Sequence, residues 1–361
     1  MNRLFAIAIF ALLFTSSTAY AKAIPLDEYL HGVVQAVRPH DPSVQEMVDA
    51  PVDVSIRLET GEDTVAQYSD KPTTTDDDIN KGDRVVVLKT FAFEGEERLI
   101  IIDRYRLPSL GILFSLFLLC ATIFAGWRGA TSVLGLIFSS GVLLLYTVPT
   151  IVHGGDPFRT AIASCFLIAI VSLYVAHGFT KQTSIALTST LTTLVLSLGL
   201  SELFVRFTHL RGMGSEDVFS LQYAGLENIN LRGLLLAGIT IGVMGVLDDV
   251  TTAQTATVQA LANAHKDASW KTLFKDGLTV GREHIASLVN TLFLAYAGAS
   301  LPLLLSFSLN EGRVPFWAIL NGEMVSEEVV RTLIGSTILV LAVPISTLAA
   351  AWYFGRTNTR N

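Results

Sequence analysis

The sequence predicts an α-helical polytopic membrane protein, with about seven transmembrane helices and a small N-terminal exported all-β, barrel-like domain. Three observations carry that prediction. Of 361 residues, 51% are hydrophobic and only 16% charged, against roughly a quarter charged in an ordinary soluble domain, and mean hydropathy is +0.51. The apolar residues are concentrated after residue 107, in runs close to the ~20 residues that a helix needs to cross a bilayer. The stretch before them instead alternates apolar and polar residues over short segments.

Residues 1–21 set Asn2 and Arg3 before the apolar stretch Leu4 to Phe14, then polar Thr15 to Thr18 and Ala19-Tyr20-Ala21. A basic start, a short apolar region and an Ala-x-Ala end form a secretory signal, with cleavage expected after Ala21. An uncleaved anchor is the alternative, and in either case the following residues are exported.

Residues 22–107 read as an extracytoplasmic β domain. Val52-Asp53-Val54-Ser55-Ile56-Arg57-Leu58 is apolar at every second position, so one face is buried and the other wet. Thr60-Gly61-Glu62-Asp63 turns the chain, and Thr64 to Tyr68 returns as the second strand of a hairpin. Pro72 and the tract Thr73 to Asp78 form a loop, followed by strands at Arg84 to Thr90 and Arg98 to Asp103. About five strands in such a length suit a compact barrel of the OB or a similar type.

Residues 108–355 form the transmembrane helical domain, with spans near 108–127, 130–151, 158–177, 183–204, 231–250, 285–307 and 332–354, and 356–361 is a cytoplasmic tail. Within lipid every backbone N–H must be satisfied locally, which makes these spans helices. Loop charges give the orientation. With the β domain outside, the inner loops carry Arg128, Lys181, Lys266, Lys271, Lys275, Arg282, Arg356 and Arg360. The outer loops carry Arg159, Arg206, Arg211, Arg232, Arg313 and Arg331, and the bias follows the positive-inside rule. In the inner loop Ala264 to Glu283, Trp270, Leu273, Phe274, Gly277 and Leu278 share a face, which reads as an interfacial helix or an amphipathic connector.

Polar chemistry is concentrated in the fifth span, where Gly238, Gly242 and Gly245 lie on one face and lead to Asp248, Asp249, Thr251 and Thr252. A stripe of small residues allows close helix packing. Two neighbouring carboxylates at membrane depth are costly unless they are wet, paired or protonated, which marks them as a candidate ion site. Alternatively, the span ends at Leu247 and Asp249 caps a following helix. On the antiparallel sixth span, Asn290 is expected at the depth of the two aspartates, as a donor to them or as interhelical glue.

Other chemistries are poorly supported. The net charge of −7, from 25 Lys plus Arg against 32 Asp plus Glu, comes without a basic block, so no nucleic acid is expected as a partner. Adjacent aspartates on one helix diverge and do not make an aspartyl-protease dyad. Hydrolase and phosphate-loop motifs and metal spacing among the seven histidines are lacking, and no enzyme activity, metal or cofactor is expected. Cys120 and Cys165 fall within apolar runs, where a thiol behaves as a small hydrophobe.

Two segments are familiar. Gly242-Val-Met-Gly245-Val-Leu-Asp248-Asp249-Val-Thr-Thr252, and Gly281-Arg282-Glu283-His284 running through Asn290-Thr291 and Tyr296 to Gly298, Ser300 and Pro302, resemble the bacterial YibE/F-like family of multipass membrane proteins. The resemblance implies a polytopic inner (plasma) membrane protein and brings no established activity with it. The residues favour a solute or ion permease with its polar site between the fifth and sixth spans, in which Asp248 and Asp249 hold a cation or proton. Thr251, Thr252 and Asn290 would supply neutral ligands. The expected partners are the lipid bilayer, an ion or small solute, and an extracytoplasmic partner of the β domain. The rival is a non-transporting envelope scaffold or sensor that uses the β domain alone.

Overall fold

The computed structural model describes residues 28–37, 52–68, 79–91, 97–223, 225–226, 228–309 and 314–358. The expected signal or anchor, the acidic loop around Asp76 to Asp78 and the last residues of the tail lie outside them. The chain divides into two compact units at Ala121/Thr122.

In the first unit, β1 (Glu28–Val37), β2 (Val52–Leu58), β3 (Asp63–Tyr68), β4 (Arg84–Phe91) and β5 (Glu97–Arg104) close into a barrel of order β1-β2-β3-β5-β4. Alternation places Val34, Val54, Ile56, Ala66, Val85, Val87 and Ile101 inside it, as the period of two requires. The β2–β3 hairpin pairs Arg57 with Asp63, and Gly61 takes the positive φ of 87° that the turn needs. Gly32 of β1 lies so close to β2 that a Cβ there would stand 2.8 Å from the Arg57 carbonyl oxygen. The barrel is followed by α1 (Leu107–Trp127).

The second unit is a helical bundle. Gly126, at φ 58°, ends α1 before α2 (Gly129–Val152), which contains a π-helical stretch at Leu143–Thr147. There follow α3 (Pro157–His177), α4 (Lys181–Phe207), the short α5 (Glu216–Tyr223) and α6 (Leu231–Ala264). Then come α7 (Trp270–Ala299), α8 (Leu301–Ser308), α9 (Phe316–Asn321) and α10 (Glu323–Asn358). Asp156, Thr180, Asn230 and Ser269 each accept a backbone N–H in the first turn of α3, α4, α6 and α7, which fixes those starts.

Among the described residues six helices are long and apolar enough to cross a membrane: α1, α2, α3, α4, α6 and α10. The segment expected as a sixth span at 285–307 is divided at Ser300 between α7 and α8. The expected interfacial helix is not separate either, because Trp270 to Ala299 is one continuous helix. It carries Lys271, Lys275, Asp276, Arg282 and Glu283, which lower its apolarity, yet it runs antiparallel to α10 for most of its length. Gly355 of α10 touches Trp270 at one end, and Gly335 faces Leu292 towards the other.

At the junction of α6, α7 and α10 three helices pack closely. Gly277 and Gly281 of α7 stand against Val258, Gln254, Val343 and Thr347, and a Cβ at 281 would fall 2.5 Å from Val343 Cγ1. Gln254, 1% exposed, donates through Nε2 to the Gly277 carbonyl and the Thr347 hydroxyl, 2.8 Å each. One buried amide thus ties three helices together.

Candidate functional site

The helix that carries the aspartates is unbroken. α6 runs 34 residues from its Asn230 cap to Ala264, so Asp249 is neither a helix cap nor the edge of a half-helix break. Asp248 lies 17 residues in, about 26 Å from the start at 1.5 Å per residue, deeper than helix-end geometry would place it.

Asp248 and Asp249 line one cavity of about 340 Å³, whose walls come from α2, α3 and α6. Helix α2 supplies Ser132, Leu136, Ser139 and Leu143; α3 supplies Cys165, Ile168, Ser172, Ala176 and His177; α6 supplies Ile241, Met244 and Gly245 besides the aspartates. Two carboxylates, three hydroxyls and an imidazole therefore share a pocket with an otherwise apolar wall. Asp249 is exposed and Asp248 half-buried. Asp248 Oδ1 is buried, with no hydrogen-bond partner among the described residues.

An acceptor of that kind lacks the donor that a buried carboxylate normally has, at a cost of about 1–3 kcal/mol or more for a charged group. A cation or a proton on the oxygen removes that cost. Local packing keeps the pocket open. Among the described residues nothing lies within 4 Å of a Cβ built at Gly245, so the missing side chain is space that the cavity uses. A Cβ at Gly135 would stand 3.0 Å from Ser172 Oγ, so its absence lets α2 and α3 come together beside the pocket. The π-helical stretch that contains Leu143 borders it as well, with Thr147 bonded to the Val142 carbonyl and, at 2.6 Å, to Ser164. Such bulges recur at functional sites because they re-aim side chains within a helix.

The other residues singled out from sequence are placed differently. Thr251 is buried against α4, where it bonds Thr190 at 2.6 Å and the Leu247 carbonyl at 2.9 Å. Thr252 bonds the Asp248 carbonyl at 2.7 Å. Neither lines the cavity. Asn290 is exposed on α7, which contributes no wall residue, so the pocket with the aspartates lies against α2 and α3 and not between the fifth and sixth spans. Gly238 and Gly242 do not serve a bare helix-to-helix contact. A Cβ at 238 would stand 3.1 Å from Arg331 Nη1, and one at 242 would stand 3.1 Å from the Tyr296 hydroxyl. They make room for two long polar side chains.

Sequence reasoning missed Ser132, Ser139, Cys165, Ser172 and His177. A signal was present: Ser132 and Ser139 are seven apart, as are Cys165 and Ser172, which puts each pair on one helix face. Scattered serines in apolar helices carry no mark that separates a cavity wall from hydroxyls bonded to their own helix, as Ser189, Thr190 and Thr193 of α4 are.

No curated protein and no solved structure matches the chain. The model of the family described as YibE/F-like protein matches residues 113–356, which include every wall of the cavity, helices α2 to α9 and all but the last two residues of α10. This helical, multi-pass membrane protein with an N-terminal five-stranded barrel therefore belongs to the YibE/F-like family.

Proposed function

We propose that the chain is an ion or solute permease of the bacterial inner membrane, exported behind an N-terminal signal, with its barrel outside and its C-terminus in the cytoplasm. The observation that carries this reading is Asp248 Oδ1, an unpartnered buried acceptor in a cavity with a second carboxylate at mid-helix depth. Carboxylates held inside a bundle and facing a cavity are the usual means of binding a coupling cation or proton. Asp248 and Asp249 hold the cation in this scheme. The hydroxyls of Ser132, Ser139 and Ser172 are neutral ligands on the opposite walls, and the His177 imidazole is a further titratable group beside the two carboxylates at the same pocket.

The test is flux in proteoliposomes. Asp248→Asn and Asp249→Asn each lower cation- or proton-coupled uptake by about tenfold or more, as loss of an intramembrane ion ligand does, whereas Asn290→Ala leaves it unchanged. Full uptake by the doubly substituted chain would remove the permease reading.

A second reading follows from the separate compactness of the barrel unit, namely that the barrel binds an envelope partner and the helices only anchor it. It expects no flux from the wild-type chain at all and partner binding by the barrel alone.

A further inference from the structure

A second cavity, of about 470 Å³, lies where the end of α4 meets the start of α6, and its polar lining is Arg206, His209, Arg211 and Arg232 with the neutral Asn230, whose Nδ2 donates to Asp156 Oδ2 at 3.3 Å. Arg232 and Asp248 are sixteen residues apart on α6, about 24 Å at 1.5 Å per residue, so this pocket is distinct from the carboxylate cavity.

The pocket is built and not a chance gathering of surface arginines. The segment after α4 is pressed onto the first turn of α6 at Gly212, whose φ is 84° and whose Cβ, if present, would stand 2.2 Å from the Leu231 carbonyl oxygen. His209 holds the left-handed φ of 55°, uncommon outside glycine, to make the bend. Glu323 of α10 then pins the segment by accepting the Arg211 backbone N–H at 2.6 Å.

Charge in the pocket is only partly balanced. Arg206 and Arg232 share the carboxylate of Glu202, with Arg232 Nη2 held off at 3.7 Å, and Arg211 faces Glu323 at 3.3 Å. Three guanidinium groups thus meet two carboxylates. Nε and Nη2 of Arg232 are buried with no hydrogen-bond partner among the described residues. The positive end of the α6 dipole points the same way.

We infer that this cavity binds a phosphate-class oxyanion, gripped by the forked donors of Arg206 and Arg232 with Arg211 at the rim. A guanidinium fork matches phosphate oxygens two at a time, and an added anion supplies the acceptors that Glu202 cannot supply to both arginines. The phosphate is either free or the headgroup of an anionic phospholipid. Phe207 and Leu203, exposed and apolar on the last turns of α4, offer the acyl chains of a lipid a surface beside the pocket.

The experiment uses the full chain in uncharged detergent. One arm follows thermal unfolding with inorganic phosphate against chloride at equal ionic strength. The other follows retention of phosphatidylglycerol against phosphatidylcholine by native mass spectrometry. At least one probe binds the wild type, and Arg206→Gln with Arg232→Gln weakens it by roughly tenfold, equivalent to one charge-assisted hydrogen bond. Phosphatidylglycerol alone assigns a headgroup, whereas a phosphate effect assigns a free anion. A third measurement needs no variant: the bound probe slows phenylglyoxal modification of Arg232 in the wild-type chain, read by peptide mass spectrometry. Equal affinity in the double variant, no binding of either probe to the wild type, or no protection of Arg232 would overturn the assignment.

Discussion

At the scale of single residues, the candidate site depends on one side chain too few and one acceptor too many. Gly245 leaves space, and Asp248 Oδ1 has nothing among the described residues to fill its hydrogen-bonding capacity. Gly245→Leu fills the void from the same helix that carries the carboxylates. Its expected outcome is a folded protein with uptake reduced by about tenfold or more, because a side chain that occupies the pocket excludes the cation from its ligand. Gel filtration and uptake measured on the same preparation check this. Unchanged uptake would mean that the cavity is not on the route. Asp63 on the barrel is a different case. The Arg57 guanidinium bonds both its oxygens, at 2.7 and 2.8 Å, and holds its carboxyl below the usual range. Asp103 is likewise lowered, mainly by its bond from Arg106. A lowered folded-state value means that the contribution to stability is present above the unfolded-state value, near pH 4, and is lost as the pH falls through the folded one. The barrel therefore weakens on acidification through that window, and Asp63→Asn removes part of the pH dependence. Both groups are exposed, so the effect is small; circular dichroism across an acid titration reads it.

At the scale of elements, glycines decide which helices touch. Gly281 of α7 abuts Val343 of α10, where a Cβ would stand at 2.5 Å, and a Cβ at Gly277 would stand 2.8 Å from Val258 Cγ2 of α6. Gly281→Leu forces these helices apart, with an expected loss of about 1–3 kcal/mol from overpacking. Gly245→Leu, made at an open position, costs less, and thermal unfolding in detergent ranks the two. The sequence carried much of the element list. The strand at Val52–Leu58, the return at Tyr68 and the strands on either side of the 92–96 segment were legible from alternation, because each has one buried face. β1 was not singled out, since its first residues are half-buried or exposed and its pattern slips at the irregularity between Val34 and Ala36. Apolar runs located α1 to α4, α6 and α10 for the same reason that hydropathy works in general, which is that lipid admits little else. The apolar run at 285–307 showed only part of its element, because α7 begins at Trp270, carries charge on its exposed side and is held by Gly277, Gly281 and Gln254 against its neighbours. The aspartates were visible as charges in an apolar run. Their true wall mates were not, because which helix lies beside α6 is a tertiary fact that no local pattern encodes.

At the scale of the whole molecule, a closed barrel with its own core precedes a helical bundle whose polar groups are unevenly distributed. Ser189, Thr190 and Thr193 of α4 donate to carbonyls of their own helix, and the buried Gln254 is spent on packing. The carboxylates of α6 are not spent in either way, and the account rests on that difference. The barrel core, with Val54 and Ile56 fully buried, predicts that residues 22–105 fold alone and that Ile56→Ala costs about 2–5 kcal/mol, checked by denaturant unfolding of the isolated domain. The central claim is that Asp248 and Asp249 face an accessible cavity and hold a cation there. Labelling of the full chain by an apolar carbodiimide, mapped by peptide mass spectrometry, tests it most directly. The account predicts modification at Asp248 or Asp249 that slows when the bound cation is supplied and disappears in Gly245→Leu. Absence of labelling at both aspartates, or labelling indifferent to every cation and to the filled pocket, would contradict it.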